Sequence, residues 1–218
     1  MKSFVVIGLG RFGQAVAEQL IALGGEVLAI DNDMSTVNEI ANDVTQAVCA
    51  DAKDENVLKT LGVRNYDCAV IAIGDNISDS VLITMNVKEL GIKNIVCKAK
   101  DAQHKRVLER IGADSVIIPE YEAGKKMAYS LISQRMIDII DISSEYSIVD
   151  INVPKSWIGK TIEQLSVRKK YGVNIVAIKN GFNENDVTIN PAPDYTFGET
   201  DIVALVGRSQ QIRKISEQ

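Results

Sequence analysis

Short apolar runs and segments of helical period alternate along the first two thirds of the chain. Residues 3–7 are β-branched and aromatic, of strand length, and stop at Gly8. Residues 11–23 then place Phe12, Val16, Leu20 and Leu23 at helical spacing, with Gly24-Gly25 to end the helix. The same reading predicts a strand over 26–30, a helix opened by Ser35 and running through Val37, Ile40 and Ala41, a strand over 46–49 and a short helix over 54–61. Residues 68–73 are unbroken apolar sequence, the pattern of a strand buried on both faces. A helix from Ser78 or Asp79 to Leu90, a strand over 95–98, a helix over 101–111 closed by Gly112 and a strand over 115–118 follow. Strand–helix alternation with such short connections predicts an α/β fold, a Rossmann-like doubly wound parallel sheet with helices on both faces.

Residues 122–140 read as one longer helix. Its apolar positions, Met127, Ala128, Leu131, Ile132, Met136, Ile139 and Ile140, form a band wide enough to cover a sheet and also to meet a partner subunit. Burial within its own chain accounts for the band equally well. From residue 143 the character changes. Strands are expected over 147–153, ended by Pro154, and over 174–179 and 202–206, with a short helix over 161–169 and a terminal helix over 209–216. A turn-rich stretch carries Asn180-Gly181, Asn190-Pro191-Ala192-Pro193 and Gly198. The expected organisation is a main α/β domain over 1–121, a linking helix over 122–142 and a small C-terminal α+β module over 143–218.

Composition narrows the function. The 218 residues are 46% hydrophobic and 24% charged, an ordinary globular balance. Lys plus Arg number 24 against 29 Asp plus Glu, for a net charge of −5. That balance excludes an electrostatically driven nucleic-acid binder as the default. No apolar run approaches the ~20 residues of a bilayer span. The start lacks a secretory signal as well, so a soluble cytoplasmic chain is expected. Cys49, Cys68 and Cys97 each sit in a short apolar run and are expected as small buried hydrophobes, not as a disulfide framework or zinc site. The single histidine, His104, is expected on the surface at a helix start, and its solitude nearly excludes histidine-based triads and metal sites. The basic triplet Arg168-Lys169-Lys170 reads as a solvated helix end.

The chemistry lies after the first strand. Gly8-Leu9-Gly10-Arg11-Phe12-Gly13 is a GxGxxG sequence between a predicted strand and helix, the context in which the pattern carries weight. Gly8 permits the tight turn, Gly10 lets a pyrophosphate approach the backbone and Gly13 brings the helix against the sheet. Free N–H groups at the helix start favour phosphate. Asp31 ends the second strand 18 residues after Gly13, where a carboxylate accepts both ribose hydroxyls and repels a 2′-phosphate. This points to an adenosine ligand and away from NADP, leaving NAD(H), ATP and ADP open. An arginine at position 11 sets a guanidinium beside the phosphates, where it could pair with a terminal phosphate.

These residues carry a resemblance. Gly-Leu-Gly-Arg-Phe-Gly at 8–13, Ala-Ile-Asp at 29–31, Ile-Ala-Ile-Gly at 71–74, Arg-Ile-Gly-Ala-Asp at 110–114 and Pro-Glu at 119–120 follow one another in register. Together they resemble the RCK (KTN) regulatory subunits of bacterial Ktr/Trk potassium-uptake systems, most closely the Ktr type. Residues 143–218, with Glu-Tyr-Ser-Ile-Val at 145–149 and Tyr-Gly-Val-Asn-Ile at 171–175, resemble their C-terminal RCK_C (TrkA-C) module. The resemblance implies that Gly8, Gly10, Arg11, Phe12, Gly13, Asp31 and Asn32 hold the nucleotide. It places Asp51 and Ala52 near the adenine, and Ile73 and Gly74 near sugar and phosphates. Arg11 would touch a terminal phosphate across a dimer, with Lys98 close by. Glu120 would face the same phosphates and share a divalent cation with ATP. In the C-terminal module, Arg168, Asn174, Ile175 and Pro191 match a cyclic di-AMP site at a symmetric dimer interface.

The function so implied is a non-enzymatic, ligand-sensing subunit. Homodimers would assemble into an octameric ring on the inner face of the membrane and gate a separate potassium-conducting subunit. The competing class, an NAD(H)-dependent oxidoreductase, would need a general acid or base near the nicotinamide.

Overall fold

The computed structural model describes residues 1–132, 136–180 and 183–216, and divides into two compact units, Met1–Glu120 and Tyr121–Gln218. The first is a parallel sheet in the order β3-β2-β1-β4-β5-β6. Its strands are β1 (Ser3–Ile7), β2 (Glu26–Asp31), β3 (Gln46–Cys49), β4 (Cys68–Ile71), β5 (Asn94–Lys98) and β6 (Ser115–Ile117). The order reverses between β1 and β4, which opens a crevice at the carboxyl ends of these two strands. Helices α1 (Arg11–Ala22), α2 (Met34–Ile40), α3 (Glu55–Thr60), α4 (Ile77–Glu89) and α5 (Ala102–Ile111) connect the strands.

Alternation along the strands divides the core. Val5, Ile7, Leu28, Ile30, Ala69 and Ile71 pack on one face with Leu58, Ile83 and Leu108 from the helices. Val6, Val27, Ala29 and Val70 pack on the other with Ala17 and Val37. Both faces of the central strands are dry, as their unbroken apolar sequence requires.

Asp and Asn side chains start most of these helices. Asp33 accepts hydrogen bonds from the Ser35 and Thr36 N–H groups, so α2 begins before Ser35, the residue expected to open it. Asp54, Asn76 and Asp101 cap α3, α4 and α5 in the same way. No side chain caps α1, whose N-cap is Gly10.

Helix α6 (Pro119–Ile132) ends earlier than sequence periodicity suggested. Residues 136–140, expected as its continuation, lie instead in strand β7 (Met136–Asp141). The Met-Ile-Asp-Ile-Ile-Asp sequence has no clean two-residue alternation, but its β-branched isoleucines suit a pleated surface. Pairing with β8 (Tyr146–Asn152), with Ile139 opposite Val149, decides for the strand. Of the predicted apolar band, Met127 and Leu131 are exposed on α6, Ile139 packs into the second core and Ile140 is exposed.

The second unit is an antiparallel sheet in the order β10-β9-β11-β8-β7, with β9 (Asn174–Asn180), β10 (Asn183–Ile189) and β11 (Asp201–Arg208). Strand β10 was hidden in the turn-rich stretch because its first half is polar, and only Val187 and Ile189 show period two. The predicted turn at Asn180-Gly181 runs outside the described residues at Gly181. The helix expected over 161–169 is two, α7 (Ile162–Leu165) and α8 (Val167–Tyr171), broken at Ser166 with φ 46°. Ser166 turns both its N–H and its hydroxyl back to the Glu163 carbonyl, 3.1 Å each, which supports the left-handed conformation. A terminal helix, α9 (Ser209–Ser216), closes a core built on Trp157 and Phe197, whose ring centres lie 5.5 Å apart.

Two smaller expectations change. His104 is buried, not superficial. Its Nδ1 accepts the Lys100 N–H at 3.2 Å, and its Nε2 has no partner among the described residues. Cys97 is buried as expected, while Cys49 and Cys68 are half-buried.

Candidate nucleotide site

The crevice between β1 and β4 opens a cavity of about 290 Å³. Gly8 turns the chain out of β1 with φ +92°, and a Cβ there would stand 2.9 Å from Ile73 Cγ1. Gly13 is tighter: its Cβ would lie 1.9 Å from the Gly8 carbonyl oxygen, so α1 begins in direct contact with the turn. Gly10 is the opposite case. It lines the cavity, and a Cβ there would meet nothing within 4 Å. The sheet therefore presents an uncapped helix start whose N–H groups remain available for an anion.

Asp31 holds this turn in place. Its Oδ2 accepts the Leu9 N–H at 2.6 Å and its Oδ1 the Asp33 N–H at 2.9 Å. A carboxylate has about four acceptor positions, so two remain for ribose hydroxyls. Asp31, Asn32, Asp51 and Ala52 line one side of the cavity, and Ile73 and Gly74 the other. Sequence reading missed four polar lining residues: Lys53, Asp75, Asn76 and Asp79. Lys53 Nζ lies 3.7 Å from Asp51 and 3.6 Å from Asp79, tying the loop after β3 to α4. The polar Asp75-Asn76 pair before a helix was the available signal, but it reads as a cap, which Asn76 also is.

Arg11, Phe12, Gly13, Lys98 and Glu120 do not line the cavity. Gly13 is buried behind the turn, and Arg11 is exposed at the first position of α1. The other three meet beside it. Lys98 Nζ lies 2.9 Å from the Glu120 carboxylate and 6.0 Å from the centre of the Phe12 ring. Its hydrogen bond to Lys98 holds the Glu120 carboxyl below the usual carboxylate range. Among the described residues, no group of three or more His, Cys, Asp or Glu side chains is gathered to hold a metal ion.

A separate cavity of about 370 Å³ lies in the second unit. It brings together Arg168, Asn174, Ile175 and Pro191, all four residues singled out there, with Ile162, Glu163 and Lys169 among its other walls.

Comparison with known proteins decides the family. The TrkA-N domain matches residues 4–119 and the TrkA-C domain residues 147–218. The Ktr system potassium uptake protein A of Bacillus subtilis (strain 168) is 42% identical over 217 residues, covering 100% of this chain and 96% of that protein. Protein C of the same system and organism is 40% identical over 216 residues, covering 99% and 96%. The chain belongs to the Ktr-type RCK family. A solved structure of the GsuK RCK domain has the same fold, with a TM-score of 0.69 at 16% identity. The match covers 99% of this RCK chain and 47% of that one, so this chain spans about half its length. No helix among the described residues is long and apolar enough to cross a membrane.

Proposed function

We propose that this RCK protein is a cytoplasmic, non-enzymatic sensor that binds ATP or ADP and gates a separate potassium-conducting membrane subunit. The observation that carries the reading is the uncapped start of α1 facing a cavity that also holds Asp31, with Lys98 and Glu120 paired just beyond it. Asp31 would take the adenosine ribose and the glycine turn the first phosphates. Arg11 would reach a terminal phosphate, in this subunit or its dimer partner. Glu120 alone is a poor metal ligand, but with a nucleotide phosphate it would share a hard divalent cation. Family membership supports the potassium-transport role and the assembly of homodimers into a ring, here taken as an octamer.

A ligand shifts a ring between two shapes only through its different affinity for them. Contacts of Arg11 and Glu120 that need a third phosphate would supply that difference between ATP and ADP. In the C-terminal cavity the second ligand would be cyclic di-AMP. Arg168 would meet its phosphate, Asn174 a base edge, and Ile175 and Pro191 a base face.

The test is calorimetric titration of the purified protein with ATP, ADP, NADH and cyclic di-AMP, with and without Mg²⁺. Adenine nucleotide and cyclic di-AMP should bind independently, with ATP tighter than ADP when Mg²⁺ is present. Tight NADH binding with no response to ATP would overturn the sensor in favour of an oxidoreductase.

A further inference from the structure

The basic triplet of α8 is not one solvated helix end. Its side chains part between two cavities: Arg168 lines the C-terminal one already described, Lys170 lines another, and Lys169 lines both. This other cavity, of about 680 Å³, is walled by Lys160, Gln164, Leu165, Ser166, Lys169 and Lys170. No carboxylate lines it. Glu163, the single acid of residues 160–170, is a wall of the neighbouring cavity instead. Among the described residues, none of the three lysines pairs with a carboxylate. The amide of Gln164 adds a donor, because its Oε1 is already taken by the Thr161 N–H at 2.9 Å. The frame around these groups is fixed. The Lys160 N–H donates to the Trp157 carbonyl at 3.0 Å and the Lys160 carbonyl accepts the Phe197 N–H at 3.1 Å, so its backbone is tied to the second core. Lys170 holds its ammonium 4.9 Å from the centre of the Tyr171 ring, which lies 6.3 Å from Trp157. Like charges gathered in one concavity repel one another, and an anion placed among them relieves that repulsion.

We propose that the cavity walled by Lys160, Lys169 and Lys170 binds a small, multiply charged oxyanion of the oligophosphate class. The inference does not depend on what the other two cavities hold. Each ammonium is a compact point charge with three donors and no acceptor, so the site counts charge more than it reads shape. Linked phosphates bring enough charge to engage all three lysines, and a single phosphate does not. A concave site of this volume fits a small soluble ligand, whereas a lipid surface is flat and would meet only its rim.

Calorimetric titration of the full chain with sodium tripolyphosphate and with inorganic phosphate is the test. Tripolyphosphate should bind about tenfold or more tightly than phosphate, weaken with added salt and raise Tm. The double variant Lys160→Gln, Lys170→Gln should bind it about twentyfold or more weakly. Both lysines are exposed, so the variant should unfold at or above the wild-type Tm without ligand. Gly10→Ala and Arg168→Ala, which alter the other two places for an anion, should keep tripolyphosphate affinity within about threefold. Wild-type affinity in the double lysine variant, or no tripolyphosphate binding to the wild type, would overturn the site. A loss in Gly10→Ala or Arg168→Ala as large as in the double variant would place the anion elsewhere, with the same result. Cosedimentation with vesicles of equal parts phosphatidylcholine and phosphatidylglycerol tests the lipid source. Vesicle binding that the double variant loses, with no tripolyphosphate binding to the wild type, would make these lysines a membrane contact and refute the soluble ligand.

Discussion

Two glycines of one turn should respond to the same methyl group in opposite ways. An alanine at position 13 would place its Cβ 1.9 Å from the Gly8 carbonyl oxygen, 3.0 Å from its carbonyl carbon and 3.2 Å from Ala72 Cβ. The first two are backbone atoms, and the turn is tied to the sheet by the Gly8 N–H, which donates to the Ile30 carbonyl at 2.9 Å. Helix α1 and the turn would have to part by more than about 1 Å to restore ordinary contact. Overpacking of this kind costs about 1–3 kcal/mol, and so severe a clash belongs at the upper end. For a unit of this size that is a fall in Tm on the order of 10 °C. At position 10 the methyl meets nothing, and φ −62° with ψ 175° suits alanine. Gly10→Ala should therefore hold or gain up to about 1 kcal/mol through a less flexible unfolded chain. Its methyl nevertheless stands on the cavity wall where a phosphate must approach the backbone. Thermal unfolding of both variants, with calorimetric titration by ADP, separates the effects. Gly13→Ala should lose stability, and Gly10→Ala should lose ADP affinity at unchanged Tm. Equal destabilisation by both, or wild-type stability of Gly13→Ala, would refute the packing argument.

Asp31→Asn keeps the shape of the side chain but sets an amide NH₂ against one of the two N–H groups that Asp31 now accepts. A loss of about 2 kcal/mol in chemical denaturation is expected, with weaker binding of every adenine nucleotide; a variant as stable as the wild type would contradict this role in holding the turn. Burial keeps the His104 imidazole below its ordinary 6.5, against the opposing pull of Asp101. The folded state thus resists a proton that the unfolded chain accepts, and its stability is complete above about pH 6.5 and falls as pH drops through the folded value. Between about pH 7.5 and pH 5.5, His104→Leu should lose less Tm than the wild type, and equal acid sensitivity would remove His104 from the account. Arg168→Ala should weaken cyclic di-AMP binding at least tenfold and leave ADP binding unchanged, read in one pair of titrations; loss of both would mean a folding defect instead of a lost phosphate contact.

Much of this protein could be read without coordinates, because its signals are local. The first strand, the glycine turn and α1 follow from residue types within a dozen positions, and the doubly wound class follows from repeated alternation of two periods. The four residues of the C-terminal cavity came from the resemblance to the TrkA-C module and not from spacing, and the fold brings them to one cavity. Other features depended on partners far along the sequence. Residues 136–140 continue a helical apolar band, yet their β-branched isoleucines also suit a strand, and only pairing with β8 chooses between the two. Strand β10 is too polar to announce itself and exists through its hydrogen bonds to β9. His104 carries a polar side chain at a helix start, where sequence suggests exposure, yet the packing around α5 buries it. The position of Lys98 is of the same kind. Its charge at a strand end was visible, but that its stem lies on Gly74, between Phe12 and Glu120, follows from four segments meeting at one edge of the sheet. Periodicity and turn chemistry set the elements, and tertiary packing decided which side chains occupy the space between them.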